Sequence, residues 1–503
     1  MPNYTGDGAD NTFAGDGTNE TIIGNGGSDT LSGNGGEDII SGDAGGDTIF
    51  GGDGSDMLYS AAISPAWNRP YFGNPWTAPV LDSGTEVDTI NGGTGFDLIF
   101  AGYGDNVDGG ADSAGLLISF QGASSGVSVD FRTLTNGSPM TIGGGTLANI
   151  YSLYWIVGSE YDDTIRDGDH DGNFAPMFGG GGNDHLIGGY YTGEMHGGSG
   201  DDTIDRTDSG YPFPIFGDDG NDTIFAGNSQ SVYGGNGNDT IYMSTSAFSL
   251  IGGPGYDTLS VNIYVINAAT AISEFEVLEL RDVTFSSVTF SGSQFANGFA
   301  SDLLIKGTGA ITVNMTAGVD FFTTVMTPDA GSAVTFTVNG TSGDDAIKGG
   351  QFATTVNAGD GADVIRTGNL VDTIDGGIGN DKIAGRGGAD ILTGGAGSDT
   401  FRYVLASDSG LGVNADHITD FAIGTDKLAF RALDPDLVTP GVQSFAFIDT
   451  QAFHATGAAE IHYANSGADL LVEADLNGDG IADMQIFLNG LAGQTLTGLD
   501  FLI

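Results

Sequence analysis

Nine-residue units follow one another without a gap from Gly6 to Tyr59, among them GNGGSDTLS at 24–32 and GNGGEDIIS at 33–41. The first six residues of a unit are rich in glycine, which tolerates positive φ, and the last three can form a strand whose middle side chain points inward. Two units would close one coil of about eighteen residues, and coils would stack about 4.8 Å apart by parallel strand pairing. The period therefore predicts an all-β solenoid. The sixth residues of the units are Asn11, Glu20, Asp29, Asp38, Asp47 and Asp56, and the eighth are Phe13, Ile22, Leu31, Ile40, Ile49 and Leu58.

The composition indicates that the fold needs cations. The chain of 503 residues has 88 glycines and 66 acidic but only 13 basic residues, which gives a net charge of −53. This charge repels nucleic acid and opposes compaction unless cations are bound. Because the chain has no cysteine, disulfides and thiolate zinc sites are excluded, and oxygen ligands suit calcium. A flexible linker is the alternative, but a linker would not keep an apolar residue at every ninth position.

The units resemble the GGxGxDxUx repeats of the hemolysin-type, or RTX, calcium-binding family. The resemblance implies a right-handed parallel β-roll, in which the second and fourth residues of a turn offer backbone carbonyls and the sixth offers its carboxylate to Ca²⁺. Each ion would be shared with the turn two units away, so that residues 33–38 face residues 51–56. In the first block, residues 1–110, the implied ligands are Asp29, Asn34, Gly36, Asp38, Asp43, Gly45, Asp47, Gly52, Gly54, Asp56 and Asp97.

An insertion at residues 60–86 interrupts the first block and is rich in proline and aromatic residues, including Trp67, Tyr71, Phe72 and Trp76. Rings exposed on a loop would predict a sugar- or surface-binding element, whereas rings packed on the solenoid flank would predict a cap. We favour the cap and leave the binding loop open.

The central block, residues 158–260, has one acidic turn per coil rather than two. Its sixth-position aspartates recur at intervals of 21, 18, 20, 17 and 18 residues, while the half-coils between them keep the inward apolar residue and lose the chelating turn. We therefore predict a calcium row along one edge only. The stretches 111–157 and 261–339 lack such turns and are predicted to be calcium-poor coils, with a small separate β-domain as the alternative for 261–339. The central ligands are Asp163, Asp184, Asp202, Asp222, Asp239 and Asp257.

Seven more units run unbroken from Gly340 to Arg402, and Thr354 is the one sixth-position residue among them that is not aspartate. This block, residues 340–402, is the strongest calcium-site prediction in the chain. Its implied ligands are Asp345, Asp363, Asp372, Gly377, Gly379, Asp381, Arg386, Gly388, Asp390, Gly395, Gly397 and Asp399.

The carboxy-terminal region, residues 403–503, contains DHITDFAIGTDKLAFRALD and ends in LTGLDFLI, and it resembles the terminal region of the serralysin metalloproteases. The resemblance implies a cap on the β-roll and an uncleaved signal for a bacterial type I secretion apparatus, with Asp500 followed by three apolar residues. This agrees with an amino terminus that lacks a signal peptide. Residues 475–483 imitate the start of an EF-hand loop, but Ile486 stands where the bidentate Glu is expected, so a polar hairpin turn is an equal alternative.

The function that follows is a secreted protein that folds on extracellular calcium and serves a surface layer, matrix or adhesion. No histidine begins an HExxH motif, so no zinc-protease site is predicted, and no run of 18 apolar residues predicts a membrane span. The alternative is an enzyme acting on polysaccharide, of the lyase or epimerase kind, on the calcium-free edge near Tyr190, Tyr191, Glu194 and His196. A polysaccharide partner and self-association are both compatible with the repeats.

Overall fold

The computed structural model describes residues 3–63, 81–112, 114–134, 138–168, 174–207, 211–227, 230–243, 247–262, 266, 269–281, 287–430, 433 and 445–503. It divides into two compact units, Met1–Leu259 and Ser260–Ile503. Nearly all of the regular structure in these residues is strand. The rings of the insertion, Trp67, Tyr71, Phe72 and Trp76, lie outside the described residues, so the choice between cap and binding loop stays a prediction.

The amino-terminal unit consists of short strands joined by turns, with one short 3₁₀ helix at Phe131–Thr133. β26 (Thr258–Val261) contains the boundary between the units. The other strands are β1 (Asn3–Thr5), β2 (Thr12–Ala14), β3 (Thr21–Ile23), β4 (Thr30–Gly35), β5 (Ile39–Ser41), β6 (Thr48–Asp53), β7 (Met57–Tyr59), β8 (Thr89–Thr94), β9 (Asp97–Ala101), β10 (Asn106–Asp108), β11 (Ala114–Ser119), β12 (Ser128–Asp130), β13 (Met140–Ile142), β14 (Gly145–Ala148), β15 (Ile150–Val157), β16 (Thr164–Arg166), β17 (Ala175–Gly181), β18 (His185–Ile187), β19 (Thr192–Ser199), β20 (Thr203–Arg206), β21 (Ile215–Asp219), β22 (Thr223–Ala226), β23 (Ser231–Asn236), β24 (Thr240–Met243) and β25 (Ser249–Ile251).

Successive strands of this unit belong alternately to two facing sheets. In the first block, odd-numbered strands form one sheet and even-numbered strands the other, and each strand pairs in parallel with the strand two units away. Thr12 lies beside Thr30, and Thr30 lies beside Thr48, so the register advances by eighteen residues per coil. From β15 onward the first sheet continues through β25, and β12, β16, β18, β20, β22 and β24 form the sheet opposite it.

The core of this unit is the column of eighth-position side chains between the sheets. Ile22, Leu31, Ile40, Ile49 and Leu58 are all completely buried. Burying one such side chain stabilises the fold by about 1.5–3 kcal/mol, and a single coil contains only two of them. The coils therefore depend on stacking, as a repeat architecture requires.

The carboxy-terminal unit continues the parallel arrangement and adds an antiparallel end. The one α-helix among its described residues, α1 (Gly292–Gly298), begins at a capping box in which Ser291 and Gln294 bond each other's backbone. 3₁₀ helices lie at Ala406–Asp408, Gly412–Asn414 and Gly498–Asp500. Its strands are β27 (Ala271–Ser273), β28 (Phe275–Leu280), β29 (Ser287–Ser291), β30 (Phe299–Asn314), β31 (Phe321–Phe322), β32 (Thr327–Pro328), β33 (Ala333–Asn339), β34 (Ala346–Lys348), β35 (Ala353–Asn357), β36 (Val364–Arg366), β37 (Thr373–Asp375), β38 (Lys382–Ala384), β39 (Ile391–Thr393), β40 (Thr400–Arg402), β41 (Asp416–Ile418), β42 (Lys427–Ala429), β43 (Ala446–Phe447), β44 (Glu460–Ser466), β45 (Asp469–Asp475), β46 (Met484–Leu488) and β47 (Phe501–Leu502).

Two parallel sheets form the roll of this unit. One contains β33, β35, β37, β39, β41 and β46, and the other contains β31, β34, β36, β38, β40, β42 and β47. In the stretch 261–339, the long strand β30 pairs in parallel with β28, β29 and β33. β45 is antiparallel to both β44 and β46. The predicted fold class, an all-β parallel β-roll, is confirmed.

Candidate metal centre

The sixth-position aspartates form rows in which each carboxylate caps the coil before it. The backbone N–H of Asp29 donates to Asp47 Oδ1 at 2.7 Å, and that of Asp38 donates to Asp56 Oδ1 at 2.9 Å. The row continues across the insertion, because the N–H of Asp56 donates to Asp97 Oδ1 at 3.0 Å although 41 residues separate the two. One oxygen of each carboxylate is thus used by the protein backbone itself.

The second oxygen of most of these carboxylates is buried and has no hydrogen-bond partner in the structure. A buried carboxylate oxygen without a protein partner costs free energy, and a repeated row of such oxygens is a set of ligands that suits cations. In most turns that open on glycine, this oxygen lies against that glycine, and a Cβ there would collide with it, as Gly24 shows for Asp29 Oδ2. The oxygens are Oε2 of Glu20 and Oδ2 of Asp29, Asp38, Asp47, Asp56, Asp88, Asp97, Asp184, Asp202, Asp222, Asp239, Asp363, Asp381, Asp390, Asp399 and Asp416.

The turn backbone is held in the left-handed region that brings carbonyls toward this oxygen. The second residue of the turn has positive φ even where it is not glycine, with 71° at Asn25, 65° at Asn34 and 65° at Arg386. At Gly54, the fourth residue of its turn, only glycine fits, because a Cβ would collide with the carbonyl oxygen of Gly36 in the preceding coil. Carboxylate and carbonyl oxygens in this arrangement are the hard ligands that Ca²⁺ takes, so the residues present fit the ion.

In the absence of a cation, burial disfavours the ionised form of the acidic side chains in the rows. Desolvation raises the pKa of Asp56 to about 7, of Asp184 to about 8, of Asp222 to about 7 and of Asp390 to about 8. Neighbouring carboxylates in the same row add to the shift, since like charges disfavour ionisation. A bound divalent cation reverses both effects, which is the chemistry that Ca²⁺ would supply here.

The first block has two rows, one on each edge of the roll. Asp29 and Asp47 lie on one edge, and Asp38, Asp56 and Asp97 lie on the other. The turns predicted to share an ion are in register, because Asn34 lies beside Gly52 in the parallel pair of β4 and β6. Backbone positions Gly36, Asp43, Gly45, Gly52 and Gly54 all have positive φ.

The central block has a single row in the described residues. The N–H of Asp163 donates to Asp184 Oδ1, and the same bond links Asp184 to Asp202, with donor–acceptor distances of 2.8 and 2.7 Å. The row continues through Asp222, Asp239 and Asp257.

The opposite edge of the central block uses other side chains. Thr192 Oγ1 donates to Asp167 Oδ2 at 2.6 Å, and the fully buried Arg206 donates to the carbonyl oxygens of Thr192 and Phe213. Gln230 accepts from the N–H of Gly227. This geometry accords with the hypothesis that calcium ions line only one edge of the central block. The positions of the ions themselves stay a prediction.

The block at 340–402 again has two rows. One runs through Asp345, Asp363, Asp381 and Asp399, and the other begins at Thr354 and runs through Asp372 and Asp390. Thr354, which lacks a carboxylate, still donates its N–H to Asp372 Oδ1 at 2.6 Å. The backbone positions Gly377, Gly379, Arg386, Gly388, Gly395 and Gly397 all have positive φ.

Comparison with known families agrees with these turns. The model of the RTX calcium-binding nonapeptide repeat matches residues 14–49, 23–58, 82–113, 215–230 and 231–242, and the model of the peptidase M10 serralysin C-terminal domain matches residues 300–503. The chain carries RTX calcium-binding repeats and a serralysin C-terminal domain. The RTX repeats bind calcium.

Among solved structures, the chain matches the solution structure of the AlgE6R3 subunit from the Azotobacter vinelandii mannuronan C5-epimerase. The match has 24% identity, covers 37% of this chain and 80% of the other, and has a TM-score of 0.20, which is too low to carry an argument. No curated protein sequence matches the chain. None of the helices in the described residues has both the length and the apolar character needed to cross a membrane.

The structure adds row members that are absent from the predicted ligands. Asp88 and Asp105 continue one row of the first RTX block, and their carboxylates lie with that of Asp82 so that one ligand atom from each is within 4.8 Å of the others. In the serralysin domain, Asp416 extends one row beyond Asp390, and Asp426 extends the other beyond Asp399. Asp105 lies in a shortened unit and Asp416 lies 26 residues after Asp390, so a search at period nine misses both.

Residues 475–483 form the hairpin turn between β45 and β46. Both oxygens of Asp475 accept backbone N–H groups, from Gly478 at 2.7 Å and from Gly480 at 2.8 Å. Asp483 Oδ2 accepts from the N–H of Leu476. The carboxylates of this turn are therefore engaged by the turn itself, unlike the row aspartates.

The candidate catalytic residues of the calcium-free edge belong to packed aromatic groups. His196 is stacked between Phe178 and Phe216, with ring centroids at 4.9 and 4.4 Å, and its Nδ1 lies 2.9 Å from Asp218 Oδ2. Glu194 Oε1 is 3.9 Å from His196 Nε2. Both faces of the imidazole are covered by rings, so a substrate could reach only its edge.

Proposed function

We propose that this protein is a secreted structural component of a surface layer, matrix or adhesive coat, whose solenoid forms when extracellular calcium fills the turns. The observation that carries the proposal is the repeated buried carboxylate oxygen without a protein partner. Each such oxygen lowers the stability of the metal-free fold. These penalties add along the stack, and because the coils depend on one another, the stack should fold cooperatively once ions bind. A chain of net charge −53 without cations would stay expanded.

The mechanism is linkage between binding and folding. In the cytosol, where calcium is scarce, the carboxylates repel one another and the chain stays extended, which suits passage through a type I secretion apparatus. Outside the cell, calcium at about millimolar concentration binds only the folded turns and stabilises them by mass action. Export through the carboxy-terminal signal is part of the proposal.

Circular dichroism with a calcium titration tests this function. We expect a disordered spectrum in chelator, a cooperative gain of β-structure as Ca²⁺ is added, and no comparable gain with Mg²⁺, which keeps its waters and demands a smaller octahedral site. Full β-structure in chelator would overturn the proposal. Electron microscopy of the calcium-loaded protein then distinguishes single rods from an ordered lattice.

The polysaccharide lyase or epimerase alternative rests on the calcium-free edge. In the described residues His196 serves as one ring of an aromatic stack, and this arrangement favours the structural role over the enzymatic one. A screen of the calcium-loaded protein for cleavage or epimerisation of acidic glycans decides between the two.

A further inference from the structure

Basic side chains are gathered on the outer face of one sheet in the carboxy-terminal unit. In the parallel strands β34, β36, β38 and β40, the middle residues Ile347, Ile365, Ile383 and Phe401 are buried, so the residues beside them point outward. The register places Lys348 beside Arg366. We call the group formed by Lys348, Arg366, Lys382, Arg386 and Arg402 the basic face.

The basic face lines two adjoining cavities of about 240 and 270 Å³. Lys348, Arg366 and Arg386 line both, while Lys382 and Arg402 line only the second. The remaining side chains of the first cavity are amides and hydroxyls, and those of the second are aliphatic. They include Thr324, Gln351, Thr367 and Asn369 in the first cavity, and Val364, Ile365, Ile383 and Val404 in the second.

The charge of this surface is opposite to that of the protein. Five of the 13 basic residues of the chain line these cavities, and none of the 66 acidic residues does. Among the described residues, the ion pairs involve none of the five. The Nε of Arg386 is buried and has no hydrogen-bond partner in the structure. Like charges on neighbouring strands repel, so the arrangement costs stability that a bound anion would recover.

The chemistry of the lining distinguishes between classes of polyanion. Guanidinium groups bind carboxylates through paired hydrogen bonds, and the amides and hydroxyls nearby suit sugar hydroxyls. No aromatic ring lines either cavity, so the stacking platform on which single-stranded nucleic acids depend is missing from them. The register places Lys348 beside Arg366 and Arg366 beside Ala384, so basic side chains recur along the sheet on strands about 4.8 Å apart with a gap at Ala384. A run of charges along one direction suits a linear polyanion.

We propose that the basic face binds a polysaccharide that carries carboxylate groups, with Arg366, Arg386 and Arg402 contacting the carboxylates. This inference rests on the proposed function, because the face exists only when calcium has folded the roll. It names the matrix partner and places the contact on the outer face of the sheet rather than on the calcium-free edge of the amino-terminal unit.

The test measures binding of oligogalacturonate to the full, calcium-loaded chain by titration calorimetry, with a neutral dextran oligomer and single-stranded DNA as the other ligands. The double variant Arg366→Gln/Arg402→Gln should weaken oligogalacturonate binding at least about tenfold, since each loses a charge-assisted hydrogen bond. The matched control Arg132→Gln/Arg166→Gln removes the same charge from the amino-terminal unit and should leave the affinity unchanged. Circular dichroism in calcium checks that both variants are folded.

Three outcomes would overturn the inference. In the first, the folded wild-type chain does not bind oligogalacturonate. In the second, both double variants bind it equally well, as they would if calcium ions alone bridged the protein and the polymer. In the third, DNA or dextran binds as tightly as oligogalacturonate. Failure of the chain to fold on calcium would instead overturn the proposed function. The two failures are therefore distinguishable.

Discussion

The two edges of the central block, residues 158–260, close the same coils by different chemistry. On one edge Asp184, Asp202 and Asp222 cap the backbone with one oxygen and leave the other buried without a partner. On the other edge Arg206 and Gln230 form hydrogen bonds with backbone groups of the loops, so these backbone groups are satisfied without an ion. The comparison teaches that a solenoid can close one edge with a row of carboxylates while side chains bonded to the loops close the other, which varies in length and sequence.

The largest effect should come from removing the positively charged side chain of Arg206 on the calcium-free edge. Arg206 is completely buried, and Arg206→Met would leave the carbonyl oxygens of Thr192 and Phe213 and the nearby charge of Asp167 without it. Loss of one partner of a buried charged group costs about 3–5 kcal/mol. We expect thermal unfolding to show this loss at every calcium concentration at which the chain folds.

Arg132→Met, at an exposed arginine, is the control and should change stability by less than about 0.5 kcal/mol. If saturating calcium restored the stability of Arg206→Met, the two edges would not be independent in the way the structure indicates.

A smaller effect is expected from neutralising one ligand on the calcium edge. In Asp202→Asn, the amide oxygen can still accept the N–H of Asp184, so the backbone cap is kept and only the charged oxygen that faces the ion is lost. The calcium concentration at the folding midpoint should rise about tenfold, which corresponds to about 1.4 kcal/mol. The control is Glu160→Gln, which removes the same charge at an exposed residue and should leave the midpoint unchanged. Equal midpoints for the two variants would contradict a row of ions at this edge.

The smallest effect concerns pH in the metal-free chain. Burial raises the pKa of Asp184 to about 8 and of Asp222 to about 7, above the value of 3.8 for a free side chain. The folded state therefore takes up protons first as the pH falls, so the metal-free fold gains stability between about pH 8 and pH 5. We expect partial recovery of β-structure in circular dichroism over that window without calcium.

With saturating calcium these carboxylates stay ionised in both the folded and the unfolded chain, and stability should be flat over the same pH range. A metal-free chain that loses β-structure on acidification through this window would show that the row carboxylates do not limit folding.

Much of the fold could be predicted from the sequence, because the period of nine repeats both a turn and an inward side chain. Ile40 and Asp38 occupy their positions in the roll for reasons local to one unit, so counting residues identifies them. Asp82, Asp105, Asp416 and Asp426 could not be identified in this way. They reach the rows from a loop end, a shortened unit or the region after the last repeat, and their places depend on contacts between distant residues.

The sequence by itself determined the parallel β-roll, the calcium turns and the two-row and one-row blocks, since each follows from spacing and from the conformations that glycine and aspartate allow. Only the tertiary structure decided which oxygen of each carboxylate caps a backbone N–H and which is left for an ion. It also decided that basic residues separated by eighteen or more positions share one face. The reason is physical: stacking of the coils joins residues that are far apart along the chain, and a linear pattern does not record which side chains meet across coils.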